Sequence, residues 1–343
     1  MNKVLKWVAI SSAAVLALGV GILILGIALG GKLSYSFNYD DGIEFVELDN
    51  KKIVEDKVSI NSFDELYVDT NSTDVTVKLG DENSVYYKLP EYLVPEITEE
   101  NKKLSVVTKQ NNDKSFVFMS FPGNYESFIV ITADEDTLKK ISVKTSSGDL
   151  NISDLSLEGS ISKFSGDLNL TNAKGSNDIM IKSSSGDITV DNCDFTTVNI
   201  KQSSGDTEIK KVDCDYMEIV SSSGKNSLDD CNIEELNLDT SSGSKVVINS
   251  NIKKITNNGV SGSIELEKTQ VQYIDSDTSS GGTRLNIIGN SDDYDYEIKV
   301  SSGDISIDGE EIKGHSYNKD NSAQNKIRIE SSSGDVEIDF SEK

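Results

Sequence analysis

The sequence is poor in the residues that most enzyme sites and nucleic-acid-binding surfaces need. Its 343 residues include one histidine, two arginines, three cysteines and three prolines. Few side chains can therefore exchange a proton near neutral pH. A net charge of -25, from 33 Lys plus Arg against 58 Asp plus Glu, argues against nucleic acid as a partner. With no phosphate-binding glycine loop, Cys-x-x-Cys pair or nucleophile motif, the sequence predicts no enzyme, no catalytic or metal-binding residue and no cofactor.

Long uncharged runs are also absent, except near the N-terminus. No charged residue lies between Lys6 and Lys32, and the apolar segment 8–29 would extend about 30 Å as a helix. The sequence therefore predicts a single transmembrane helix over residues 8–30. The alternative is a cleaved signal peptide, although such peptides normally have a shorter apolar core of about 7 to 15 residues.

Charges on the two sides of this segment predict its orientation. Lys3 and Lys6 precede it, whereas acidic residues such as Asp40 and Glu44 follow it. We therefore expect a cell-membrane protein with residues 1–7 in the cytoplasm, a polar stem over residues 31–62, and the rest outside the cytoplasm. The small residues Gly26 and Gly30 are spaced as in helices that pack closely in pairs, but this spacing does not decide the oligomeric state.

A short Ser-Ser-Gly motif returns through the second half of the chain. The gaps between successive glycines are 18, 20, 19, 19, 19, 19, 19, 22 and 31 residues, and the glycines are Gly148, Gly166, Gly186, Gly205, Gly224, Gly243, Gly262, Gly281, Gly303 and Gly334. The fourth residue after each glycine is apolar in every copy, for example Ile152, Val190 and Leu228. Disordered chains have no reason to keep such offsets, although the acidic, serine-rich composition alone is typical of disorder.

Within each repeat, apolar residues alternate with polar residues both before and after the glycine, which is the pattern of strands buried on one face. A unit of about nineteen residues cannot bury its own apolar side, so successive units must stack. The sequence thus predicts an all-β fold: a parallel β-solenoid, or single-stranded β-helix, with two strands per coil and glycine at the turn.

The same offsets predict where the solenoid begins and where it is interrupted. Leu66, Val68, Val75 and Val77 fit a coil around Thr73, so we place the solenoid at residues 63–343, with regular repeats over 141–343. Residues 80–140 keep strand-like runs but lose the period. Their aromatic residues either form a binding surface or cap the solenoid end, and they are Phe116, Phe118, Phe121, Tyr125 and Phe128. We expect the insertion at about residues 310–326, which contains His315, to project as a loop.

One acidic row is the best candidate for chemistry. Asp149, Asp167, Asp187 and Asp206 follow four successive glycines and would stack at about 4.8 Å. Their carboxylates either hold a cation such as calcium or are simply solvated.

The cysteines are predicted to be small core residues. Cys193 and Cys231 both lie seven residues after a repeat glycine, two coils apart, which is too far for a disulfide. Cys214 has a different offset and is placed near Cys193 on the adjacent coil.

Several segments together resemble a bacterial cell-surface family of candidate adhesins, a domain of unknown function. The resemblance covers roughly residues 60–343 and is carried by FDELYVDTNSTDVTVKLGDENSVYY, KLSVVTK, FIVITADEDTLKKISVKTSSGDLNI and the recurrent SSGD. It implies a right-handed β-helix outside a bacterial membrane, and some members are similar to components of envelope-stress signalling. The middle corners SSGK, SSGS, VSGS and SSGG lose the aspartate, which places in doubt any role for an unbroken row.

Two functions follow from these features. The first is a non-catalytic surface module that contacts cell-wall polymer, a host surface or a membrane protein. The second is an accessory protein of an envelope-stress sensing system, which would need a membrane partner because its cytoplasmic segment is so short. A polysaccharide-active β-helix enzyme is a distant third, since the sequence shows no clustered catalytic groups.

Overall fold

The computed structural model describes residues 12, 16, 19, 35–38, 52–108, 115–119, 127–134, 138–156, 158–175 and 178–342. The chain divides into two compact units, the first formed by Met1–Ile53, Pro90–Tyr92 and Gln110–Glu126, and the second by Val54–Leu89, Leu93–Lys109 and Ser127–Lys343. Within the first unit, strands β1 (Tyr35–Asn38) and β8 (Ser115–Met119) pair antiparallel.

The remaining strands belong to one large sheet system. Those before the regular repeats are β2 (Ile53–Ser59), β3 (Glu65–Ser72), β4 (Asp74–Leu79), β5 (Ser84–Pro90), β6 (Pro95–Glu100), β7 (Lys103–Thr108) and β9 (Phe128–Ala133). Those of the first coils are β10 (Lys140–Ser147), β11 (Leu150–Ser153), β12 (Glu158–Lys163), β13 (Leu168–Thr171), β14 (Asp178–Ser183), β15 (Ile188–Gln202) and β16 (Thr207–Ser221).

The later coils contain β17 (Asn226–Asp229), β18 (Asn232–Ser242), β19 (Lys245–Ile248), β20 (Asn251–Ser261), β21 (Ile264–Ser280) and β22 (Thr283–Ile288). The last strands are β23 (Tyr294–Val300), β24 (Ile305–Ile307), β25 (Glu310–Ile312), β26 (Ser316–Lys319), β27 (Asn325–Ser333) and β28 (Val336–Ser341). Two short 3-10 helices occur at Glu91–Leu93 and Ser291–Asp293.

The repeats stack as parallel rungs, as predicted. Leu170, Val190, Ile209 and Leu228 are consecutive partners in the strands after the corner glycine, and all four are fully buried. The strands before the glycine stack in the same way; we call their sheet the front sheet, and its outward side the front face. The alternating apolar residues of both sheets meet in one continuous hydrophobic core.

Each regular coil has a third, short side that the two-strand prediction missed. Cys193 pairs with Val212, and Cys214 pairs with Ile233, in segments that follow the second strand. The chain turns into this side through a residue with positive φ, six positions after the glycine; these residues are Asp154, Asn172, Asn192, Lys211, Asp230, Asn249 and Lys268. Asn and Asp tolerate this left-handed conformation better than most residues, so a sequence signal was present.

In the middle of the solenoid, the coils stack in the order in which they occur in the sequence. At the two ends they do not. At the N-terminal end, β3 lies between β7 and β10, so the coil of residues 65–79 is an inner rung. At the C-terminal end, β27 lies between β21 and β23, so the last coil is also internal. The prediction that successive units simply pile up is therefore wrong at both ends.

Antiparallel strands cover the outer rungs. At the N-terminal end β6 pairs with β7 and β5 with β9, and at the C-terminal end β25 pairs with β24 and β26 with β23. The segment around 310–326 is thus not the outward loop that we predicted, although His315 is exposed. Such strands occupy the edge groups that would otherwise pair with another chain.

The predicted stem and membrane span are described only in part. Strand β2 pairs with β5, so sheet structure starts before the predicted solenoid boundary at residue 63. Ser12, Leu16 and Gly19 are helical, but the remainder of the predicted span 8–30 lies outside the described residues. No helix in the described part of the chain has the length and apolar character needed to span a membrane.

Candidate functional site at the glycine corner and the front face

The corner glycines are required by both backbone conformation and space. Gly205 has a φ of 109°, and a Cβ atom there would lie 2.2 Å from the carbonyl oxygen of Gly186 on the preceding coil. A side chain would therefore clash with backbone that cannot move away. The repeated glycine keeps successive turns at the spacing of one rung.

The predicted acidic row is present, and its carboxylates have a structural role. Asp149 Oδ1 accepts a hydrogen bond from the backbone N–H of Asp167 at 2.9 Å, and the same contact joins Asp167 to Asp187 and Asp187 to Asp206. Each carboxylate thus satisfies a backbone donor of the next coil, which a turn leaves without a strand partner. The prediction of four stacked aspartates is confirmed, and their hydrogen bonding explains why close carboxylates are tolerated.

The row is longer than the repeat motif indicated. Asp74, beside Thr73 in the first coil, accepts from the N–H of Asp149 at 2.8 Å, and Asp206 accepts from the N–H of Lys225 at 2.8 Å. Near the other end, Asp335 accepts from the N–H of Asp304. The described residues contain no group of three or more acidic, histidine or cysteine side chains placed to hold a metal ion. Calcium binding by this row stays a prediction.

Polar residues line the inner side of the corner. There, the inward residue three positions before each glycine lies next to the inward residue two positions after the same glycine. In one coil Thr207 donates to Gln202 Oε1 at 2.6 Å, and in the next Asn226 donates to Ser221 Oγ at 2.9 Å. We call this buried line the polar seam; its members are Thr145, Lys163, Ser183, Gln202, Thr207, Ser221, Asn226, Thr240, Lys245, Thr278 and Thr283.

Two lysines lie within the polar seam. Lys163 Nζ donates to the carbonyl of Gly148 at 2.6 Å; burial lowers the pKa of Lys163, and the nearby Asp149, Asp167 and Asp74 partly oppose that shift. Lys245 is fully buried, its Nζ has no hydrogen-bond partner among the described residues, and burial lowers its pKa. Neither lysine is accessible to a ligand, so both belong to the core.

The cysteines are free and buried, as predicted. Burial raises the pKa of Cys193 and Cys231 to about 11 and that of Cys214 to about 12, so these thiols are poor nucleophiles at neutral pH. Cys214 is in register with Phe195, whereas Cys193 is in register with Val212. The predicted approach of Cys214 to Cys193 is therefore not a direct rung contact.

The clefts in the described part are shallow and their charged groups are already paired. One cleft, of about 380 Å³, lies beside Gly282 and is lined by Glu265, Arg284 and Glu337. Arg284 Nε donates to Glu337 at 2.8 Å. Arg328, the other arginine, donates to Asp275 at 2.6 Å. Both guanidinium groups are thus paired with carboxylates, and neither lies beside a free acid or base that could act on a substrate.

Aromatic residues of the irregular section divide between the two units. Phe116 and Phe118 lie in β8, whereas Phe121 and Tyr125 fall outside the described residues. Phe128 begins β9 and its ring lies 5.5 Å from that of Tyr86.

The front face carries unequal charge along its length. In the row four residues before the glycine, eight successive rungs pass from exposed lysines, Lys144, Lys182 and Lys201, to exposed aspartates, Asp239 and Asp277. Asp69 precedes this part of the row, and Glu330 and Lys299 follow it. The front face is thus a regular charged surface on which the chain can contact a partner.

The chain is similar to one protein family and to several solved structures. The model of the Toastrack DUF4097 family matches residues 63–178 and 174–339. Similar solved structures include a candidate adhesin of Bacteroides fragilis, 15% identical over 68% of this chain and 98% of that chain, with a TM-score of 0.41. A candidate lipid-binding protein of Parabacteroides distasonis is 18% identical over 68% of this chain and 97% of that chain, with a TM-score of 0.47. No curated protein matches.

Proposed function

Because the chain belongs to the Toastrack family, a domain of unknown function, we propose that it is a membrane-anchored, extracytoplasmic β-solenoid that acts as a non-catalytic, adhesin-like surface module. The anchor is the apolar segment 8–30, with the N-terminus in the cytoplasm. Partners of the solenoid are cell-wall polymer, a host surface or another membrane protein.

The front face is the observation that carries this proposal. It presents outward rows at regular rung spacing, and over the rungs from Lys144 to Asp277 one row passes from exposed lysines to exposed aspartates. A regular, rigid and charged sheet face favours contact with an extended polymer or a second protein surface. The shallow clefts, by contrast, lack the convergent polar groups of a catalytic pocket.

A first experiment tests the location. A cysteine introduced at an exposed corner outside the front face, such as Lys225→Cys, should react with a membrane-impermeant maleimide on intact cells, since Lys225 is exposed and the native cysteines are buried. The matched control is Asn2→Cys, which we place in the cytoplasm and expect to react only after lysis. Equal labelling of both positions on intact cells would contradict the proposed orientation.

A second experiment separates the two functions that the sequence leaves open. Deleting residues 63–343 while keeping residues 1–62 should abolish adhesion to wall polymer or host surface without changing stress-gene expression. Altered stress-gene expression with unchanged adhesion would instead support the accessory role in envelope-stress sensing. An affinity pull-down of the chain from native envelope then identifies the partner.

A further inference from the structure

The outward row of the front sheet is antisymmetric in charge. Over eight consecutive rungs its members are Lys144, Ser162, Lys182, Lys201, Val220, Asp239, Asn258 and Asp277. Asp69 precedes this part of the row, and Glu330 and Lys299 follow it. Within the eight rungs lysines occupy one half and aspartates the other, so rotation of this part of the row by 180° about its centre exchanges the two signs. The centre lies between Lys201 and Val220.

Three independent pairs share this centre. Lys182 and Asp239 lie one and a half rungs on either side of it, and Lys144 and Asp277 lie three and a half rungs on either side. The third pair is apolar: Phe164 and Val260 each lie two residues before a corner glycine, two and a half rungs from the same centre.

The third pair consists of the most exposed large apolar side chains described in the coils. Phe164 is 69% exposed and Val260 is 62% exposed, whereas other coils have serine at this position, as at Ser184 and Ser203. They lie five rungs apart, about 24 Å at the spacing of parallel strands, so they cannot cover one another within one chain. Exposed apolar groups of this kind are typical of surfaces that contact another protein.

The charged members of the row are also without ion-pair partners. Within the described residues, neither Lys182 nor Lys201 forms an ion pair, and the same holds for Asp239 and Asp277. Some other charges of the front face are paired along neighbouring rungs, as in Lys254 with Glu235 at 2.7 Å. The row therefore offers charges of both signs that no ion pair within the described residues already occupies.

We propose that two copies of this chain associate through their front faces, antiparallel, about a two-fold axis between Lys201 and Val220. In this arrangement Lys182 of each copy faces Asp239 of the other, Lys144 faces Asp277, and Phe164 packs on Val260. A two-fold interface makes each of these contacts twice, as an isologous dimer requires. This proposal rests on the solenoid surface and does not depend on the membrane anchor.

Two further sets of contacts follow from the same register. Asp69 of one copy would face Glu330 of the other, and this like-charge contact is reduced because Lys299 and Arg328 pair with Glu330. In the outward row eight residues before the glycine, Glu158 of one copy would face Lys254 of the other, which is favourable. Asp178 would face Glu235, and this like-charge contact is reduced because Lys254 already neutralises Glu235. The net charge of -25 opposes association at long range, so the complementary row determines both the register and the orientation.

A charge exchange tests the proposal with the full-length chain in detergent micelles. We expect Lys182→Glu alone, or Asp239→Lys alone, to raise the dimer dissociation constant at least tenfold by sedimentation equilibrium. The double variant Lys182→Glu/Asp239→Lys should dimerise like the unmodified chain. An equimolar mixture of the two single variants should also dimerise, because each bears the charge that the other lacks.

Matched controls separate this interface from other effects. Lys211→Glu and Asp230→Lys make the same charge changes on exposed corner positions away from the front face, and should leave the dissociation constant unchanged. Circular dichroism must show the same β spectrum for every variant. Dimers that persist equally in both single variants would indicate association through residues 8–30 and would overturn the proposal.

A cross-link checks the register separately. Phe164→Cys mixed with Val260→Cys should form a disulfide between chains under mild oxidation, whereas Phe164→Cys alone should not. A monomeric unmodified chain at 0.1 mM, on the order of the weakest useful affinity, would overturn the proposal. So would binding of an anionic polymer that needs Lys182 and is strengthened by Asp239→Lys, because the row would then serve that partner.

Discussion

The ammonium group of Lys245 fills the space that a side chain at residue 259 would occupy: a Cβ atom added to Gly259 would lie 2.8 Å from Lys245 Nζ. Gly259 does not have a positive φ, so the backbone there would accept other residues. Thr240 and Thr278 stand at the same position in the coils on either side. Residue 259 is therefore glycine because the ammonium group of Lys245 occupies the space that a larger side chain would need.

This relationship predicts coupled effects on stability. Gly259→Thr should lower the free energy of unfolding by about 1–3 kcal/mol because it overfills the core. Lys245→Ile should raise it by about 1–3 kcal/mol because it removes a buried ammonium without a partner. In the double variant the threonine has room, so the loss from Gly259→Thr should largely disappear. Urea unfolding of the four proteins measures this coupling, and strictly additive effects would contradict the assigned contact.

The same lysine predicts a pH dependence. Because burial lowers the pKa of Lys245 in the folded state from 10.5, the unfolded state binds more protons between the two pKa values. Stability should therefore rise with pH through that window, and the cost of the charged form is fully present below it. Urea midpoints at pH 7, 8 and 9 test this by comparison with a variant that lacks Lys245, because the three thiols, whose pKa burial raises from 9.0, begin to ionise in the unfolded state within this range and oppose the rise in both proteins.

Lys245→Ile is the matched variant for this measurement, and its midpoint should rise less with pH than that of the unmodified chain. Some slope will remain because the pKa of Lys163 is also lowered by burial. Identical pH slopes in both proteins would show that the pKa of Lys245 is not lowered into this range by folding, as expected for a hydrated ammonium group.

The acidic row predicts a difference between two substitutions at one residue. Asp187→Ala removes the acceptor for the N–H of Asp206 and should cost about 0.5–1.5 kcal/mol. Asp187→Asn keeps Oδ1 and removes one of several neighbouring like charges, so its stability should match or exceed that of the unmodified chain at low salt. Thermal melts of the two variants make the comparison, and equal losses would argue against the hydrogen-bond role.

Melts with millimolar calcium and with chelator test the cation alternative on the same proteins. A midpoint that rises with calcium, and no longer rises in Asp187→Asn, would establish binding by the row. An unchanged midpoint removes the calcium hypothesis and leaves the hydrogen-bonded ladder as the role of these carboxylates.

Two neighbouring types of glycine should respond differently to alanine. Gly205→Ala combines a positive φ with a clash against Gly186, so it should cost at least about 2 kcal/mol. Gly282→Ala meets nothing closer than 3.6 Å and lies outside the positive-φ range, so its effect should stay within about 0.5 kcal/mol. Similar losses at both positions, measured by urea unfolding, would contradict the corner geometry.

The regular part of this fold could be predicted because each inward position repeats at one offset from a corner glycine. Leu228 and Val247 follow that rule. The coil around Thr73, which has threonine in place of the corner glycine, follows it as well. Polar residues at inward positions could not be placed in this way. Asn226 and Lys245 have the polarity of surface residues, yet they are buried because the strand register leaves them no other direction.

The stacking order of the coils at the two ends could not be predicted from the repeat. The offsets of apolar residues from a glycine show that a segment forms a rung, but they do not show which rungs lie next to it. Ile327 fits the repeat, yet it pairs with Ile274 on one side and with Tyr296 on the other. The paired charges of the front face were hidden for a related reason. Lys182 and Asp239 are 57 residues apart in sequence, and the stacking of the two rungs between them, those of Lys201 and Val220, places both in one row.

The internal position of the last coil affects how the chain reaches its final structure. Strands β23 and β24 precede β27 and β28 in sequence, but they rest on them and not on β21 and β22. During synthesis, residues 294–307 therefore have no completed rung to join until residues 325–341 have emerged. A chain shortened at its C-terminus would lose an interior layer, so closure of this end is an all-or-none event that waits for the final segment.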